Sequence, residues 1–264
     1  MSFMINLYNN ILNAKISEEG AYLFSVKRGD KDLILQGNME RKTRGGMALL
    51  IPFANRIKEG KYTFEGKTYS LPVNSEGNAI HGFAKDVKWN IDEASVDTAR
   101  LSVTLKNAGY PSTLKCKVIY ALSGNSISVS IEINNVGDND APLTVGAHPY
   151  FVVKGKWSLN PEVFTRLELE NKIPNGKMYE WRVDASSHID DCFLFDGKVT
   201  LTSEWSRVEV ESDNMKYLQI FNGVEGAVAL EPMSGAPDAY NNGMGLTILR
   251  PQSGVEYRFK MTFG

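Results

Sequence analysis

The sequence predicts an all-β protein in which antiparallel sheets pack face to face as a β-sandwich. Apolar residues recur at every second position in many short segments, for example at Val255, Tyr257 and Phe259, and this period is that of a strand with one buried face. Turns of a few residues separate the segments, and no stretch of helical period is longer than about two turns. Because we find no internal repeat and no linker rich in Pro, Gly or Ser, residues 1–264 are assigned to one domain.

The N-terminal part of the chain predicts a series of short strands. Asn-Asn, Glu-Glu-Gly and Gly-Asp turn signals separate the first four, which are predicted at residues 3–8, 11–16, 21–27 and 33–35. Residues 45–56 form an apolar, loop-like stretch, in which Pro52 and Asn55 interrupt any strand formed by residues 47–51. Residues 61–64 and 67–71, joined by Glu65-Gly66, predict a hairpin.

Alternation is clearest in the middle and at the C-terminus. Leu101, Val103 and Leu105 share one predicted face. Further strands are predicted at residues 127–133, 167–170, 208–211, 217–221, 227–230 and 255–263. Residues 234–242, with Pro237 near their start, predict a short turn or helix. Consecutive strands without helices between them predict antiparallel sheets.

The composition excludes several classes of function. With 42% hydrophobic residues, 23% charged residues and a net charge of -2, the chain has the composition of a globular protein and no basic stripe for nucleic acid. The longest apolar run, residues 47–54, is too short to span a bilayer, and we see no secretory leader, so we predict a cytoplasmic protein. Cys116 and Cys192 lack metal-ligand spacing and are predicted to be reduced thiols, with a disulfide between them as the alternative.

One histidine motif suggests a binding or catalytic site. His148 lies between Gly146 and Pro149 and is followed by the aromatic pair Tyr150 and Phe151. Because glycine and proline break regular strand pairing, we expect an interruption here that presents the imidazole to a polar ligand. The alternative is a packed, hydrogen-bonded structural histidine.

Two carboxylate segments could complete such a site. Asp190 and Asp191 follow His188 just before an apolar strand, where the alternative is a solvated turn. Glu231 ends the apolar segment 227–230. A carboxylate in that position is either exposed at the sheet rim or held in a cleft with a shifted pKa. For His188 we expect a turn or surface role.

Five segments, in order along residues 52–239, resemble the aldose 1-epimerase (mutarotase) family. They are Pro52-Phe53-Ala54-Asn55-Arg56-Ile57 with Gly60-Lys61-Tyr62, Asn78-Ala79-Ile80-His81-Gly82-Phe83, His148-Pro149-Tyr150-Phe151, Ile189-Asp190-Asp191-Cys192-Phe193, and Leu230-Glu231-Pro232 with Pro237-Asp238-Ala239. Each segment is short, but their common order makes the match specific. The resemblance implies the galactose mutarotase-like supersandwich fold. Ala147 stands where many members have Asn, which leaves the subfamily open.

The resemblance also implies roles for individual residues. Glu231 would be the general base and His148 the general acid. The residues implied to bind the sugar are Arg56, His81, Asp190, Asn55, Phe83 and Tyr150. Of these, Phe83 or Tyr150 would pack against an apolar face of the sugar.

The implied reaction interconverts the α and β anomers of a free aldose. The base removes the proton of the C1 hydroxyl while the acid protonates the ring oxygen, so that the ring opens, the C1–C2 bond rotates and the ring closes on the other face. Ordinary pKa values of about 4.3 for Glu and 6.5 for His suit these transfers. Asp190, if close in space, would help His148 to keep its proton. The reaction needs no metal or organic cofactor, and the implied partner is a small-molecule sugar.

Three other functions are open from the sequence. A hexose-6-phosphate 1-epimerase would need cations for the phosphate, which Arg41, Lys42 and Arg44 could supply unless they form a solvated loop. A non-catalytic module would bind sugar in the same pocket without turnover. A glycoside hydrolase would use Asp190 and Glu231 as its carboxylate pair. The sequence does not assign an oligomeric state.

Overall fold

The structure is a computed structural model that describes residues 3–264. Its strands, in chain order, are β1 (Met4–Tyr8), β2 (Asn13–Ser17), β3 (Tyr22–Arg28), β4 (Lys31–Ile34), β5 (Met47–Leu50), β6 (Arg56–Ile57), β7 (Lys61–Phe64), β8 (Lys67–Ser70), β9 (Ala79–Ile80), β10 (Asn90–Ala94), β11 (Thr98–Lys106), β12 (Thr113–Ser123), β13 (Ser126–Asn135), β14 (Ala141–Leu143), β15 (Gly146–Val152), β16 (Trp157–Asn160), β17 (Val163–Glu170), β18 (Ile173–Arg182), β19 (Asp190–Leu194), β20 (Lys198–Ser203), β21 (Arg207–Glu211), β22 (Tyr217–Val224), β23 (Ala227–Met233), β24 (Thr247–Leu249) and β25 (Gly254–Phe263). The helical elements of the described chain are short 3-10 turns at Lys58–Gly60 and Ala84–Asp86, and α1 (Ala239–Asn242).

Two large antiparallel sheets form the body of the fold. The larger has eleven strands in the order β1-β2-β3-β4-β15-β23-β22-β19-β17-β18, with β5 paired to both β3 and β15. The smaller has eight strands in the order β10-β11-β12-β13-β25-β21-β20-β16. The pairs β14–β24, β6–β9 and β7–β8 form separate two-stranded sheets. The predicted all-β, antiparallel fold is confirmed.

The main core lies between the two large sheets because each contributes one apolar face. In the smaller sheet, Ile131 pairs with Tyr257 across β13 and β25, and both side chains belong to this core. Leu230 and Ile220, which pair across β23 and β22, face it from the larger sheet. Burying each such aliphatic side chain contributes about 1.5–3 kcal/mol relative to leaving it exposed. The period-two pattern of the sequence is therefore the consequence of a sheet with one face against this core.

Tyr120 connects the sheets by a buried hydrogen bond. Its side chain is fully buried, and its hydroxyl donates to the carbonyl oxygen of Ala21 at 2.7 Å. We expect Tyr120→Phe to lower the free energy of unfolding by about 1–3 kcal/mol, because the carbonyl of Ala21 loses its partner in an apolar interior. Urea unfolding of both proteins measures this difference. The matched control is Tyr8→Phe, because the Tyr8 ring is exposed and its free energy of unfolding should change by no more than about 0.5 kcal/mol. Equal losses of unfolding free energy in the two variants would contradict a stabilising role for the buried hydrogen bond of Tyr120.

Several sequence predictions of local structure are confirmed. The hairpin of β7 and β8 forms with Glu65-Gly66 as its turn, and α1 lies within the predicted 234–242 segment. The second strand begins at Asn13 and not at Ile11, because the side chain of Asn9 accepts hydrogen bonds from the backbone at Ile11 and Leu12 and forms a turn there.

Some strands gave no clear signal in the sequence. β18 is mostly exposed and therefore shows little apolar alternation. Within the loop-like 45–56 stretch, residues 47–51 were expected to form at most an interrupted strand; they contain β5, which pairs with β3 and β15 and whose four residues are all buried. Cys116 and Cys192 are both buried free thiols, as predicted. No helix among residues 3–264 is long and apolar enough to cross a membrane.

Candidate active site

A cavity of about 550 Å³ lies on the face of the larger sheet that points away from the main core. Alternation along each strand determines which side chains reach it. On β15, Ala147 belongs to the core and His148 lines the cavity; on β23, Leu230 belongs to the core and Glu231 lines the cavity. The remaining cavity-lining residues on the sheet are Tyr150, Asp190, Gln219, Phe221 and Gly223. The floor of the cavity is thus built from neighbouring strands of one sheet.

The sheet register brings His148 and Glu231 together. β15 pairs with β23 at Gly146 with Met233 and at Tyr150 with Ala229, so His148 lies opposite Glu231. Their Nε2 and Oε1 atoms are 3.2 Å apart. The two strands have no paired positions between those two pairs.

The predicted break in regular pairing around His148 occurs on one side of the strand only. β15 runs continuously from Gly146 to Val152 and includes Pro149, which pairs with Met47 of β5. The interruption is confined to the ladder between β15 and β23. Proline is tolerated in a strand where a ladder hydrogen bond is absent. His148 and Glu231 lie within this gap, and both side chains line the cavity.

Burial controls the protonation of this pair. Glu231 is 2% exposed and His148 is 4% exposed. Burial, and secondarily the charge of Asp190, raise the pKa of Glu231 well above its ordinary value. Burial lowers the pKa of His148 to about 3, the charge of Arg44 lowers this pKa further, and the charge of Asp190 offsets these effects only in part. These shifts favour a pair that holds a single proton with both groups uncharged, and the expectation that Asp190 keeps His148 charged near neutral pH is not met in this structure.

Arg56 and His81 reach the cavity from the two-stranded sheet of β6 and β9. Asn55 and His81 both have positive φ angles, 55° and 63°, and the backbone N–H of His81 donates to the carbonyl of Asn55 at 2.8 Å. Strained backbone of this kind is common at functional sites. Arg56 donates to the side-chain oxygen of Asn55 at 3.0 Å. The His81 ring lies edge to face with His148, with centroids 5.3 Å apart.

Gly82 allows this segment to approach β5. Its φ is +59°, and a Cβ atom there would lie 2.1 Å from the carbonyl oxygen of Ile51, so another residue would force the two segments apart. Phe83 follows and turns away from the cavity. Its ring packs edge to face with Tyr110, with centroids 6.2 Å apart, against the main core. The structure thus places the predicted sugar-packing Phe83 outside the cavity lining, where Phe221 supplies an aromatic ring instead.

A chain of opposite charges encloses one side of the cavity. The Arg56 guanidinium donates to Glu76 at 3.0 Å, and Lys172 contacts both Glu76, at 3.7 Å, and Asp190. Gln219 donates to Asp190 at 2.7 Å. Burial raises the pKa of Asp190, but the hydrogen bond from Lys172 and the charge of Arg56 outweigh it, so this pKa lies below its ordinary value. Asp190 is therefore ionised at neutral pH.

Local sequence patterns did not indicate that Glu76, Lys172 and Gln219 line the cavity. Lys172 sits with Asn171 at the tip of the β17–β18 hairpin, where both residues have positive φ. Asn followed by Lys between two strands is a weak turn signal that could have located the hairpin but not its contact with Asp190. Sheet order brings them together, because β17 lies beside β19.

Three further placements differ from or extend the sequence interpretation. Tyr150 stacks on His148, with centroids 4.7 Å apart, and its hydroxyl donates to the carbonyl of Thr43 at 2.6 Å. His188, assigned only to a turn or the surface, lines the cavity and contacts Phe221 edge to face. Asp191 is not in the cavity lining and pairs with Arg166 at 2.6 Å.

The site combines an acid/base pair with hydrogen-bonding groups suited to a polyhydroxylated ligand. Among the described residues that line the cavity, four side-chain atoms are buried without a hydrogen-bond partner, namely Oε2 of Glu231, Oε1 of Gln219 and Nδ1 of both His81 and His148. Such atoms are costly unless a ligand satisfies them. The cavity volume is within the range of sites for small molecules. No group of three or more His, Cys, Asp or Glu residues in the described chain is arranged to hold a metal ion.

Comparison with known proteins identifies relatives of this chain. The family model for aldose 1-epimerase matches residues 4–264. The Escherichia coli (strain K12) protein named Uncharacterized protein YihR is 30% identical over 241 residues, which are 80% of this chain and 76% of that protein. Galactose mutarotase from Rattus norvegicus is 33% identical over 136 residues, which are 49% of this chain and only 38% of the rat protein.

Solved structures share the fold over nearly their whole length. A galactose mutarotase-like protein from Clostridium acetobutylicum has a TM-score of 0.87 at 18% identity and covers 100% of this chain and 98% of its own. Galactose 1-epimerase from Lactobacillus acidophilus NCFM has a TM-score of 0.80 at 20% identity, with 98% and 93% coverage. The five sequence segments, the sheet topology and the match over residues 4–264 agree. This chain belongs to the aldose 1-epimerase family.

Proposed function

We propose that this protein is an aldose 1-epimerase that interconverts the anomers of an aldose by acid/base catalysis, with Glu231 as the base and His148 as the acid. The proposal rests on the position of these two residues opposite each other on β15 and β23. Nε2 of His148 and Oε1 of Glu231 are 3.2 Å apart, in a cavity of about 550 Å³. Both groups are within reach of one sugar ring, which the reaction requires. In the proposed reaction, no other residue transfers a proton.

The reaction begins from the one-proton pair. A transfer between Oε1 of Glu231 and Nε2 of His148 converts the uncharged pair into carboxylate and imidazolium without changing its proton count. The C1 hydroxyl would supply the donor that Oε2 of Glu231 lacks among the described residues, which stabilises the carboxylate form. Glu231 then takes the C1 hydroxyl proton, His148 protonates the ring oxygen, and the ring opens. Rotation about C1–C2 and the reverse transfers give the other anomer.

The remaining cavity residues would position the sugar. Arg56 and His81 offer hydrogen-bond donors, and Asp190, ionised by its neighbours, offers acceptors to hydroxyl groups. Asn55 fixes the Arg56 guanidinium at 3.0 Å. Tyr150 supports the His148 ring from behind. Holding the ring and both catalytic groups in one geometry lowers the entropic cost of reaction.

The test is the rate of change of optical rotation of freshly dissolved α-D-glucose and α-D-galactose. Acceleration above the buffer rate, first order in protein, is the expected result. Sugar binding seen by calorimetry without acceleration would support a non-catalytic module instead. Release of nitrophenol from a nitrophenyl glycoside would support a hydrolase, but Asp190 is held by Lys172 and Gln219, which disfavours it as one of two free catalytic carboxylates.

A further inference from the structure

We propose that Lys172 is a positioning residue for sugar binding, because it holds the carboxylate of Asp190 in one orientation. Through Glu76 it also links Asp190 to Arg56, so that these two sugar-binding side chains keep a fixed relation to each other. Lys172 lies at the tip of the β17–β18 hairpin, and β18 is an outer strand of the larger sheet. The inference rests on the proposed function, which assigns Asp190 and Arg56 to sugar binding.

The turn between β17 and β18 has a lysine at a position where glycine is usual. Glu170 pairs with Ile173, so Asn171 and Lys172 are the central residues of a two-residue turn. Their φ angles are 49° and 65°, which is the pattern of a type I′ turn, whose preferred sequence is Asn-Gly. Asparagine tolerates this region of backbone conformation, whereas a lysine in it costs free energy. A residue that breaks a local rule in this way points to a function of its side chain.

Lys172 and Gln219 hold the Asp190 carboxylate from two sides. Nζ of Lys172 contacts Oδ2 of Asp190, and Nε2 of Gln219 donates to Oδ1 at 2.7 Å. With one partner on each oxygen, the carboxylate cannot rotate without losing a hydrogen bond, and each oxygen keeps a lone pair for a sugar hydroxyl. The bond from Lys172 joins two charged groups and is therefore the stronger of the two.

Glu76 connects Lys172 to Arg56. Oε2 of Glu76 accepts hydrogen bonds from Nε and Nη2 of Arg56 at 3.0 and 2.9 Å, and its Oε1 lies 3.7 Å from Nζ of Lys172. The side chains of Glu76 and Lys172 are 43% and 40% exposed, whereas that of Asp190 is 15% exposed. An ion pair with this much exposure contributes little to stability by itself. The expected role of Lys172 is therefore to orient Asp190 and not to stabilise the fold.

The hairpin has other attachments to the sheet, which do not involve Lys172. Arg166 of β17 pairs with Asp191 of β19 at 2.6 Å. Trp181 of β18 stacks on Phe193 of β19, with ring centroids 5.7 Å apart. Substitution of Lys172 should therefore leave the hairpin in place, so that a loss of sugar binding can be assigned to Asp190.

The first test is a double-mutant cycle of Lys172→Gln and Asp190→Asn, with anomeric exchange measured by NMR on glucose or galactose, whichever the wild-type protein converts faster. Lys172→Gln should raise KM about tenfold, because it removes a charged hydrogen bond from a binding residue. It should change kcat less than about threefold, because Glu231 and His148 are untouched. In the Asp190→Asn background it should raise KM less than about twofold further, since the group through which Lys172 acts is already lost. No increase in KM in the wild-type background, or equal increases in the two backgrounds, would overturn the inference.

The second test, which does not depend on catalysis, follows the pKa of the Asp190 carboxyl by carbon NMR. Burial raises this pKa, but the hydrogen bond from Lys172 and the charge of Arg56 outweigh burial in the wild-type protein. Lys172→Gln should therefore raise the pKa of Asp190. The other titratable groups whose charges act on Asp190 are kept in this variant, namely Arg56 of β6, Glu76, His148 and Tyr150 of β15, and Glu231 of β23.

Lys177→Gln is the matched control for both tests. It removes the same charge from the same hairpin, but Lys177 contacts Glu168 at 3.8 Å and lies outside the cavity lining. KM should stay within about twofold of wild type, and the pKa of Asp190 should not change. An unchanged Asp190 pKa in the Lys172 variant, or the same rise in the Lys177 variant, would overturn the inference. Absence of exchange catalysis in the wild-type protein, together with a raised Asp190 pKa in the Lys172 variant alone, would overturn the proposed function and still support the positioning of Asp190 by Lys172.

Discussion

Glu231→Gln is expected to lower kcat for mutarotation by at least about 100-fold, because glutamine cannot take the proton of the C1 hydroxyl. The substitution keeps the size and the hydrogen-bonding shape of the side chain, so the buried position on β23 should stay packed. It also removes an oxygen that can hold the shared proton next to Nε2 of His148. Polarimetric rates at saturating sugar measure the effect, and circular dichroism of the variant checks its fold.

The control for this substitution lies in the same hairpin. Glu225 is exposed between β22 and β23 and is outside the cavity lining. Glu225→Gln makes the same chemical change at the opposite end of β23 and should leave kcat within twofold of wild type. A loss of less than tenfold in the Glu231 variant would mean that this carboxylate is not the base.

His148→Gln is expected to cost kcat a similar factor of at least about 100, because the amide cannot protonate the ring oxygen. If His148 and Glu231 act as one proton-transfer unit, the double variant should be no slower than the slower single variant, since removing either partner already disables the unit. Polarimetric rates of the four proteins give this cycle. Additive losses would show that the two side chains act independently.

The pH dependence of the wild-type protein tests the protonation state of the same pair. Because burial lowers the pKa of His148 to about 3 and raises that of Glu231 well above its ordinary value, the one-proton pair persists from acid pH upward. A second proton binds His148 only at low pH, so kcat/KM for a neutral aldose should be flat through pH 6.5. A fall in kcat/KM centred near pH 6.5 would contradict the buried, uncharged histidine of the free protein.

The placement of this pair explains why a buried carboxylate and a buried imidazole can coexist in the sheet. Each would be destabilised alone as a charged group, because an isolated charge in an apolar interior loses its hydration. Sharing one proton allows both to stay uncharged until sugar hydroxyl groups enter the cavity. The same burial that raises the pKa of Glu231 also removes bulk water from the reaction. The burial that disfavours the charged forms of His148 and Glu231 is thus the same burial on which the proposed proton transfers depend.

The sequence by itself determined the all-β architecture and seven of the cavity residues. Strict alternation along β13 and β25 predicted strands with one face on a core, because a two-residue period leaves no other arrangement. The ordered segments located Asn55, Arg56, His81, His148, Tyr150, Asp190 and Glu231, and all of these line the cavity. These short segments could be recognised because proton transfer and sugar binding require particular residue types at particular positions.

Only the tertiary structure decided which residues face one another. Sheet order and register placed His148 opposite Glu231 and Lys172 against Asp190. The tertiary structure also places the Phe83 ring outside the cavity, against Tyr110. Distances between strands far apart in the chain, and the burial that shifts the pKa values of His148 and Glu231, depend on how the sheets pair and pack. Local patterns carry information about each strand but not about the neighbour it acquires.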